Sequence, residues 1–68
     1  MLKLVELNSN ANSVLDNPAN YKDHFSCVGD LGIILHFCSY DSGRAIWCVY
    51  FPRINCKEYW FEEFLYFY

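Results

Sequence analysis

The chain is poor in basic residues, which limits the partners that it can bind through charge. Of its 68 residues only 5 are Lys or Arg, against 8 Asp or Glu, and its formal net charge is -3. The sequence pI is near 5.0, and the basic residues are scattered along the chain. Nucleic-acid binding depends on clustered Lys and Arg that neutralise phosphates. The composition therefore argues against direct nucleic-acid binding.

The sequence also lacks a long apolar run. The longest stretch, LGIILHFC, falls well short of the roughly 20 residues that a membrane-spanning helix requires. The first residues, MLKLVELNSNANS, hold an apolar run that is too short and too interrupted for the core of a signal peptide. We expect a cytoplasmic protein that does not bind a membrane.

Closely spaced cysteines are absent as well. The four cysteines are Cys27, Cys38, Cys48 and Cys56. They are separated by at least 8 positions, whereas structural zinc sites usually draw their ligands in pairs about two to four residues apart. Two alternatives stay open, namely two disulfides in one of three pairings and a metal site that recruits His24 or His36. We expect most of these thiols to be reduced and to pack as small hydrophobes in the core, and we expect no cofactor.

No motif in the sequence indicates catalysis. A nucleophile would need a base, and the two histidines, His24 and His36, are expected in a loop and on the polar side of a strand. Glu62 and Glu63 are adjacent, so as strand neighbours they would point apart and could not act as an acid/base pair. The GDLG segment lacks the helix N-terminus that receives a phosphate. We expect a protein that is not an enzyme.

What the sequence does contain is β-strand patterning. With 54% hydrophobic and 21% aromatic residues the chain is too apolar for disorder. The Asn-rich residues 8–20 predict an irregular N-terminal segment, with one helical turn at Val14 and Leu15. Strands are predicted at LGIILHFC, AIWCVYF, KEYWF and LYFY, separated by the hairpin loop YDSGR, the connection PRINC and a turn at Glu62 and Glu63.

Four or five short strands with tight turns predict a mainly β domain, closed or nearly closed into a small antiparallel barrel. The segments VGDLGIIL, AIWCVYFP and EYWFEEFLYF resemble a group of small phage proteins built as SH3-like barrels. In that group a Gly-Asp-x-Gly turn opens the first long strand, a Trp- or Val-rich strand follows the hairpin, and a Trp shortly before a Leu closes the sheet. The matching positions are Gly29, Asp30, Gly32, Trp47, Trp60 and Leu65. The resemblance covers about residues 26–68 and implies a single SH3-like barrel domain, 1–68, of viral origin.

The end of the chain carries more rings than a small interior holds. Between Ala45 and Tyr68 there are 10 aromatic residues, on both alternation faces of the strands, and each would bury about 150–250 Å². The predicted core residues are Ile33, Leu35, Trp47, Val49 and Phe51. A slip of one residue in strand register would exchange core and surface.

The opposite set of rings is rich in Tyr and Trp, which are enriched at protein interfaces. The predicted partner-binding residues are Tyr50, Tyr59, Trp60, Tyr66 and Tyr68, with Glu58 and Glu62. An acidic rim is predicted from Asp23, Asp30, Asp41, Glu58, Glu62 and Glu63. We expect this surface to bind a host protein and modulate or inhibit it, with the rim steering toward a basic target. The alternative is a structural or assembly protein of the virus that covers the same rings by self-association as a homo-oligomer.

Overall fold

The computed structural model of the chain describes residues 2–16 and 24–68. Its strands form one antiparallel sheet in the order β4-β3-β2-β1-β5. The strands are β1 (Leu4–Leu7), β2 (Leu31–Asp41), β3 (Arg44–Phe51), β4 (Cys56–Phe61) and β5 (Leu65–Phe67). The mainly β prediction is confirmed at the level of a five-stranded open sheet with one short helix.

The first strand corrects the predicted strand list, which contains no strand before LGIILHFC. β1 lies between β2 and β5, and its Val5 and Leu7 are fully buried. Only after Asn8 does the chain leave the sheet, through a 3-10 helix, Ser9–Ala11, and the helix α1, Asn12–Leu15. The helical turn predicted at Val14 and Leu15 is therefore confirmed, whereas the predicted loop positions 17–20 lie outside the described residues.

The turn between β2 and β3 is the predicted hairpin loop. Asp41 pairs with Arg44, and the two residues between them both have positive φ, 53° for Ser42 and 78° for Gly43. Positive φ at both central positions is the type I′ turn, whose twist matches that of the flanking strands. Gly43 adopts this conformation without the steric cost of a side chain.

Two bulges interrupt the alternation of side chains between the faces of β2, and this corrects the predicted core. Its pairing with β3 is irregular between Ile34 and His36 and again between Phe37 and Ser39, so Leu35 and Cys38 are bulged. Ile34 packs against the core, whereas Leu35 is 49% exposed and Ile33 lies on the opposite side of the sheet. The alternation read from the sequence assumed a strand without bulges and therefore chose the wrong phase.

The core lies against one face of the sheet, here called the inner face. The core residues are Val5, Leu7, Ala11, Val49, Phe51, Trp60, Phe64 and Leu65. Val49 and Phe51 confirm their predicted burial, and Trp47 packs partly buried against them. Gly32 is buried on this face. A Cβ at that position would lie only 2.5 Å from Val49 Cγ1, which confirms the predicted close approach of the backbone.

The sheet is strongly curved, as the connection from β4 to β5 requires. A single 3-10 helix, Glu62–Phe64, joins these two strands although they lie at opposite ends of the strand order. In a flat sheet the two edges would be about 19 Å apart, four spacings of about 4.8 Å. From Phe61 to Leu65 even an extended chain spans only about 14 Å. The sheet must therefore curl around the inner face.

Candidate functional site

One row of side chains crosses the sheet on the face opposite the core, here called the outer face. The strand register places Leu4 opposite Ile33, Ile33 opposite Tyr50, and Tyr50 opposite Lys57. Tyr68 extends the row past β1, where its backbone N–H donates to the Leu4 carbonyl over 3.0 Å. Residues directly opposite each other in antiparallel strands project to the same side. Apolar and aromatic side chains thus form an unbroken row from Tyr68 to Tyr50.

A second row beside the first enlarges this surface. Tyr66 lies opposite Glu6, and Glu6 lies opposite Leu31. The Tyr66 and Tyr68 rings are 5.0 Å apart between centroids and meet edge to face. The Tyr68 hydroxyl donates to Glu6 Oε1, and this hydrogen bond raises the pKa of Tyr68 above its ordinary value. Glu6 therefore positions one ring of the pair.

The outer face is open to solvent at several of its large apolar and aromatic residues. Leu4 is 43% exposed, Leu31 49%, Tyr66 59% and Tyr68 64%. A depression of about 490 Å³ lies next to the two leucines, with Ile33 in its lining. Exposed large apolar side chains that lie side by side mark interaction sites more often than isolated ones do.

The structure places four of the predicted binding tyrosines on this outer face. Besides Tyr50, Tyr66 and Tyr68, it carries Tyr59, which lies opposite Cys48 and is 57% exposed. Cys48 itself is fully buried, and burial raises the pKa of its thiol. Cys48 therefore packs as the predicted small hydrophobe.

Trp60 and Glu58 do not belong to this surface, which corrects the prediction. The register places Trp60 opposite Trp47 and Glu58 opposite Val49, so both side chains point to the inner face. Trp60 is 2% exposed and Glu58 4%. Reading Tyr59 and Trp60 as members of one face was wrong because adjacent residues of a strand alternate between faces.

Glu58 has a structural role inside the molecule. Its carboxylate accepts hydrogen bonds from the backbone N–H of Phe25 at 2.7 Å and of Ser26 at 3.2 Å. The Ser26 hydroxyl donates to it at 2.5 Å, and Trp60 Nε1 at 2.9 Å. A buried carboxylate is tolerated when donors surround it in this way. Glu58 thus ties the segment before β2 to β4.

The predicted acidic rim is only partly a surface feature. Asp30 is 9% exposed, and its two carboxylate oxygens accept from Arg53 at 2.6 and 2.7 Å. The hydrogen bonds from Arg53 hold the pKa of Asp30 below its ordinary value, against the opposing effect of burial. Glu63 forms an ion pair with Arg44. Asp23 lies outside the described residues.

Glu62, predicted as a binding residue, belongs to another aromatic surface on the inner side. It accepts a hydrogen bond from Trp47 Nε1 at 3.1 Å. Trp47 lies 5.5 Å from the Phe37 ring and 5.8 Å from the Phe67 ring, and Phe37 lies 5.0 Å from the Tyr40 ring. These four rings are here called the aromatic ladder. Sequence reasoning missed Phe37 and Tyr40 because a bulge separates them.

The cysteines and histidines are the side chains that would supply a nucleophile and its base. All four cysteines are free, and Cys27 is exposed, so the expectation of packed thiols does not hold there. Cys38 Sγ lies 3.8 Å from His36 Nδ1, but the same nitrogen lies 3.1 Å from the Phe37 carbonyl oxygen. In the tautomer that donates to this carbonyl, Nδ1 has no lone pair for a thiol proton.

Residues 2–16 and 24–68 hold neither a metal-binding cluster nor a membrane-spanning helix. No group of three or more His, Cys, Asp or Glu is placed there to hold a metal ion. In the same part of the chain, no helix has the length and apolar character needed to cross a membrane.

Comparison of the chain with protein-family models, with curated proteins and with solved structures finds no match. The functional interpretation therefore depends on the geometry described above.

Proposed function

We propose that this chain is a non-enzymatic protein-protein interaction module that binds its partner through the outer face. The observation that carries the proposal is the row Tyr68, Leu4, Ile33 and Tyr50, which runs from the residue after β5 across β1, β2 and β3 without a charged residue between its members. Tyr side chains combine an apolar ring with a polar tip, so they suit a surface that is wet when free and covered when bound.

The shape of the surface supports a protein rather than a small molecule as the partner. The depression beside Leu4 and Leu31 is shallow and bounded by Pro52 and Arg53, and tyrosines stand on both sides of it. Apolar side chains of the partner would enter the depression, and the surrounding rings would exclude water from it. This is the arrangement of an interface hot spot with its rim.

The charges favour a protein partner over nucleic acid. Arg53 is bound to Asp30, and Arg44 is bound to Glu63 while its guanidinium lies 3.8 Å from the Phe61 ring centroid. Two of the five basic residues are thus engaged within the molecule. A surface that binds phosphates needs several basic side chains close together.

We further propose that the fold is an SH3-like barrel and that the partner is a host protein, as the resemblance to small phage proteins implies. The strand order and the 3-10 helix between β4 and β5 support the barrel. On this proposal the chain acts in the cytoplasm of the host cell, where it would modulate or inhibit its target.

The proposal is tested by capturing partners with the tagged full chain from lysate of its native cells. The informative variant is Leu31→Lys with Tyr66→Ser, which changes two exposed outer-face residues. We expect the parent to retain a foreign protein that this variant loses, and titration calorimetry with the purified partner should show at least about a tenfold weaker affinity, since central interface residues carry most binding energy.

The matched control is Tyr40→Ser, because Tyr40 is 70% exposed but belongs to the aromatic ladder. It should bind like the parent. Equal capture by all three proteins would contradict binding through the outer face. Recovery of the chain alone by the parent and by Tyr40→Ser, but not by the Leu31→Lys, Tyr66→Ser variant, would favour the second candidate, a structural protein that covers its outer face by self-association.

A further inference from the structure

β2 is longer than the strand that pairs with it on one side. β1 pairs with β2 as far as Leu4 and Ile33, and one more hydrogen bond joins Ile34 N–H to the Lys3 carbonyl. β2 then continues to Asp41 with β3 on its other side. Within the described part of the chain, no strand pairs with β2 on the β1 side beyond Ile34. Such an edge is a template for another strand.

Apolar side chains follow this unpaired edge. Leu35 is 49% exposed, Phe37 41% and Tyr40 70%. Phe37 and Tyr40 belong to the aromatic ladder, which continues to Trp47 in the neighbouring strand. A strand added at the edge would therefore gain backbone hydrogen bonds and ring contacts together, as in recognition by β-augmentation.

We propose that this edge of β2 pairs antiparallel with the same edge of a second copy of the chain, about a two-fold axis between Cys38 and Ser39. In that register Phe37 of one copy lies opposite Tyr40 of the other. His36 likewise lies opposite Asp41. Aromatic pairs and pairs of basic with acidic residues are the favourable cross-strand combinations.

The faces of the strand agree with this register. Phe37 and Tyr40 both project to the inner face, because they lie opposite Trp47 and Ala45 of β3. His36 and Asp41 both project to the outer face, opposite Cys48 and Arg44. Residues that lie opposite each other must share a face. Phe37 and Tyr40 are three residues apart, and His36 and Asp41 are five apart, so in a regular strand the members of each pair would project to opposite faces. They share a face only where a bulge intervenes. The bulge at Cys38 provides this condition.

The second copy is favoured over an unrelated peptide because, in this register, the side chains of the edge meet favourable partners on both faces: Phe37 opposes Tyr40, and His36 opposes Asp41. In a two-fold dimer each pair occurs twice, so a single substitution acts at two places. The inference uses the edge of β2 rather than the rows of side chains on the outer face, and it does not rest on the proposed function.

The test is sedimentation equilibrium of the full chain over a wide range of concentration. A reductant is present because the four cysteines are free. We expect a dimer for the parent. Tyr40→Lys should weaken it by about tenfold or more, since edge lysines oppose strand pairing and each substitution counts twice. The control Tyr59→Lys changes another exposed tyrosine, 57% against 70% for Tyr40, that lies on the outer face, and it should dimerise like the parent.

A charge reversal tests the register itself. His36→Asp would place two carboxylates opposite each other and should dissociate the dimer. The double variant His36→Asp, Asp41→Lys restores opposite charges and should restore the dimer. Circular dichroism confirms that each variant is folded.

Three results would overturn the proposal. The first is a parent that sediments as a monomer at every concentration. The second is a dimer that Tyr59→Lys dissociates and Tyr40→Lys does not, because the contact would then lie on the outer face. The third is a double variant that stays as dissociated as His36→Asp, because the antiparallel register would then be wrong.

Discussion

At the scale of single residues, the ionised side chains serve mainly the fold. Asp30 holds Arg53 with two hydrogen bonds and accepts a third from the backbone N–H of Cys27 at 2.8 Å. Glu58 is surrounded by four donors. Hydrogen bonds to charged groups are stronger than neutral ones, and they are costly to break when the charge is buried. Both carboxylates therefore fix the segment that leads into β2.

Asp30→Asn is expected to lower the free energy of unfolding at neutral pH by about 2 kcal/mol, since it removes the charge that holds Arg53. The folded-state pKa of Asp30 lies below its ordinary value of 3.8. The stabilisation is therefore present above that ordinary value and is lost as pH falls through the lower folded-state pKa. Urea denaturation at several pH values should show that the free energies of unfolding of the parent and the variant converge in acid.

The control for this prediction is Asp16→Asn, at an exposed position after α1, which should stay within about 0.5 kcal/mol of the parent. A difference between parent and Asp30→Asn that stays constant down to the acid limit would contradict the role of the ionised carboxylate.

At the scale of elements, the backbone conformation of the turn between β2 and β3 matches the twist of the two strands that it joins. Ser42 and Gly43 both have positive φ, and only the second is the residue type that favours it. The turn keeps Asp41 and Arg44 paired, and it supports the part of β2 that carries the exposed edge.

Ser42→Asn is expected to stabilise the protein by about 0.5 kcal/mol, because Asn tolerates the left-handed conformation better than Ser. Gly43→Ala is expected to destabilise it by about 1–2 kcal/mol, because a Cβ is strained at this φ. Thermal unfolding monitored by circular dichroism measures both changes. Two shifts of the same sign would contradict the assignment of a type I′ turn.

Elements with strong local signals could be predicted from the sequence. The runs around AIWCVYF and KEYWF, the YDSGR turn and the Gly32 approach all appear as expected. β1 could not be predicted with the same ease because only its pairing with β2 and β5 buries Val5 and Leu7. The bulges at Leu35 and Cys38 have no local signal, since they arise from fitting β2 to β3.

At the scale of the whole molecule, two aromatic surfaces lie outside one thin core. The outer face carries four of the predicted tyrosines, and the aromatic ladder occupies the inner side near the β2-β3 turn. A domain of this size buries only about 60% of the surface of its unfolded chain. Rings that the core cannot hold are left at the surface.

Two aromatic residues near the end of the chain, Trp60 and Tyr66, should differ strongly in how much their truncation to Ala destabilises the protein. Trp60→Ala removes a ring that is 2% exposed and whose centroid lies 5.6 Å from that of the Phe64 ring. It should therefore lower the free energy of unfolding by about 3–5 kcal/mol. That is a large part of the about 5–15 kcal/mol that holds a typical domain together. Tyr66→Ala, at 59% exposure, should leave stability within about 1 kcal/mol of the parent.

Chemical denaturation of both variants measures these effects. If Tyr66→Ala destabilised the protein as much as Trp60→Ala, the two rings would share one environment and the division into inner and outer faces would be wrong.

The sequence by itself determined the mainly β class, the turns and the excess of rings over core space, because these follow from local propensity, alternation and composition. Only the tertiary structure decided which rings are exposed. Side-chain alternation has a period of two, so one bulge or one shift in register exchanges the faces. Long-range pairing, which no local stretch of sequence specifies, placed Glu58 and Trp60 inside and left the tyrosines of the outer face in contact with water.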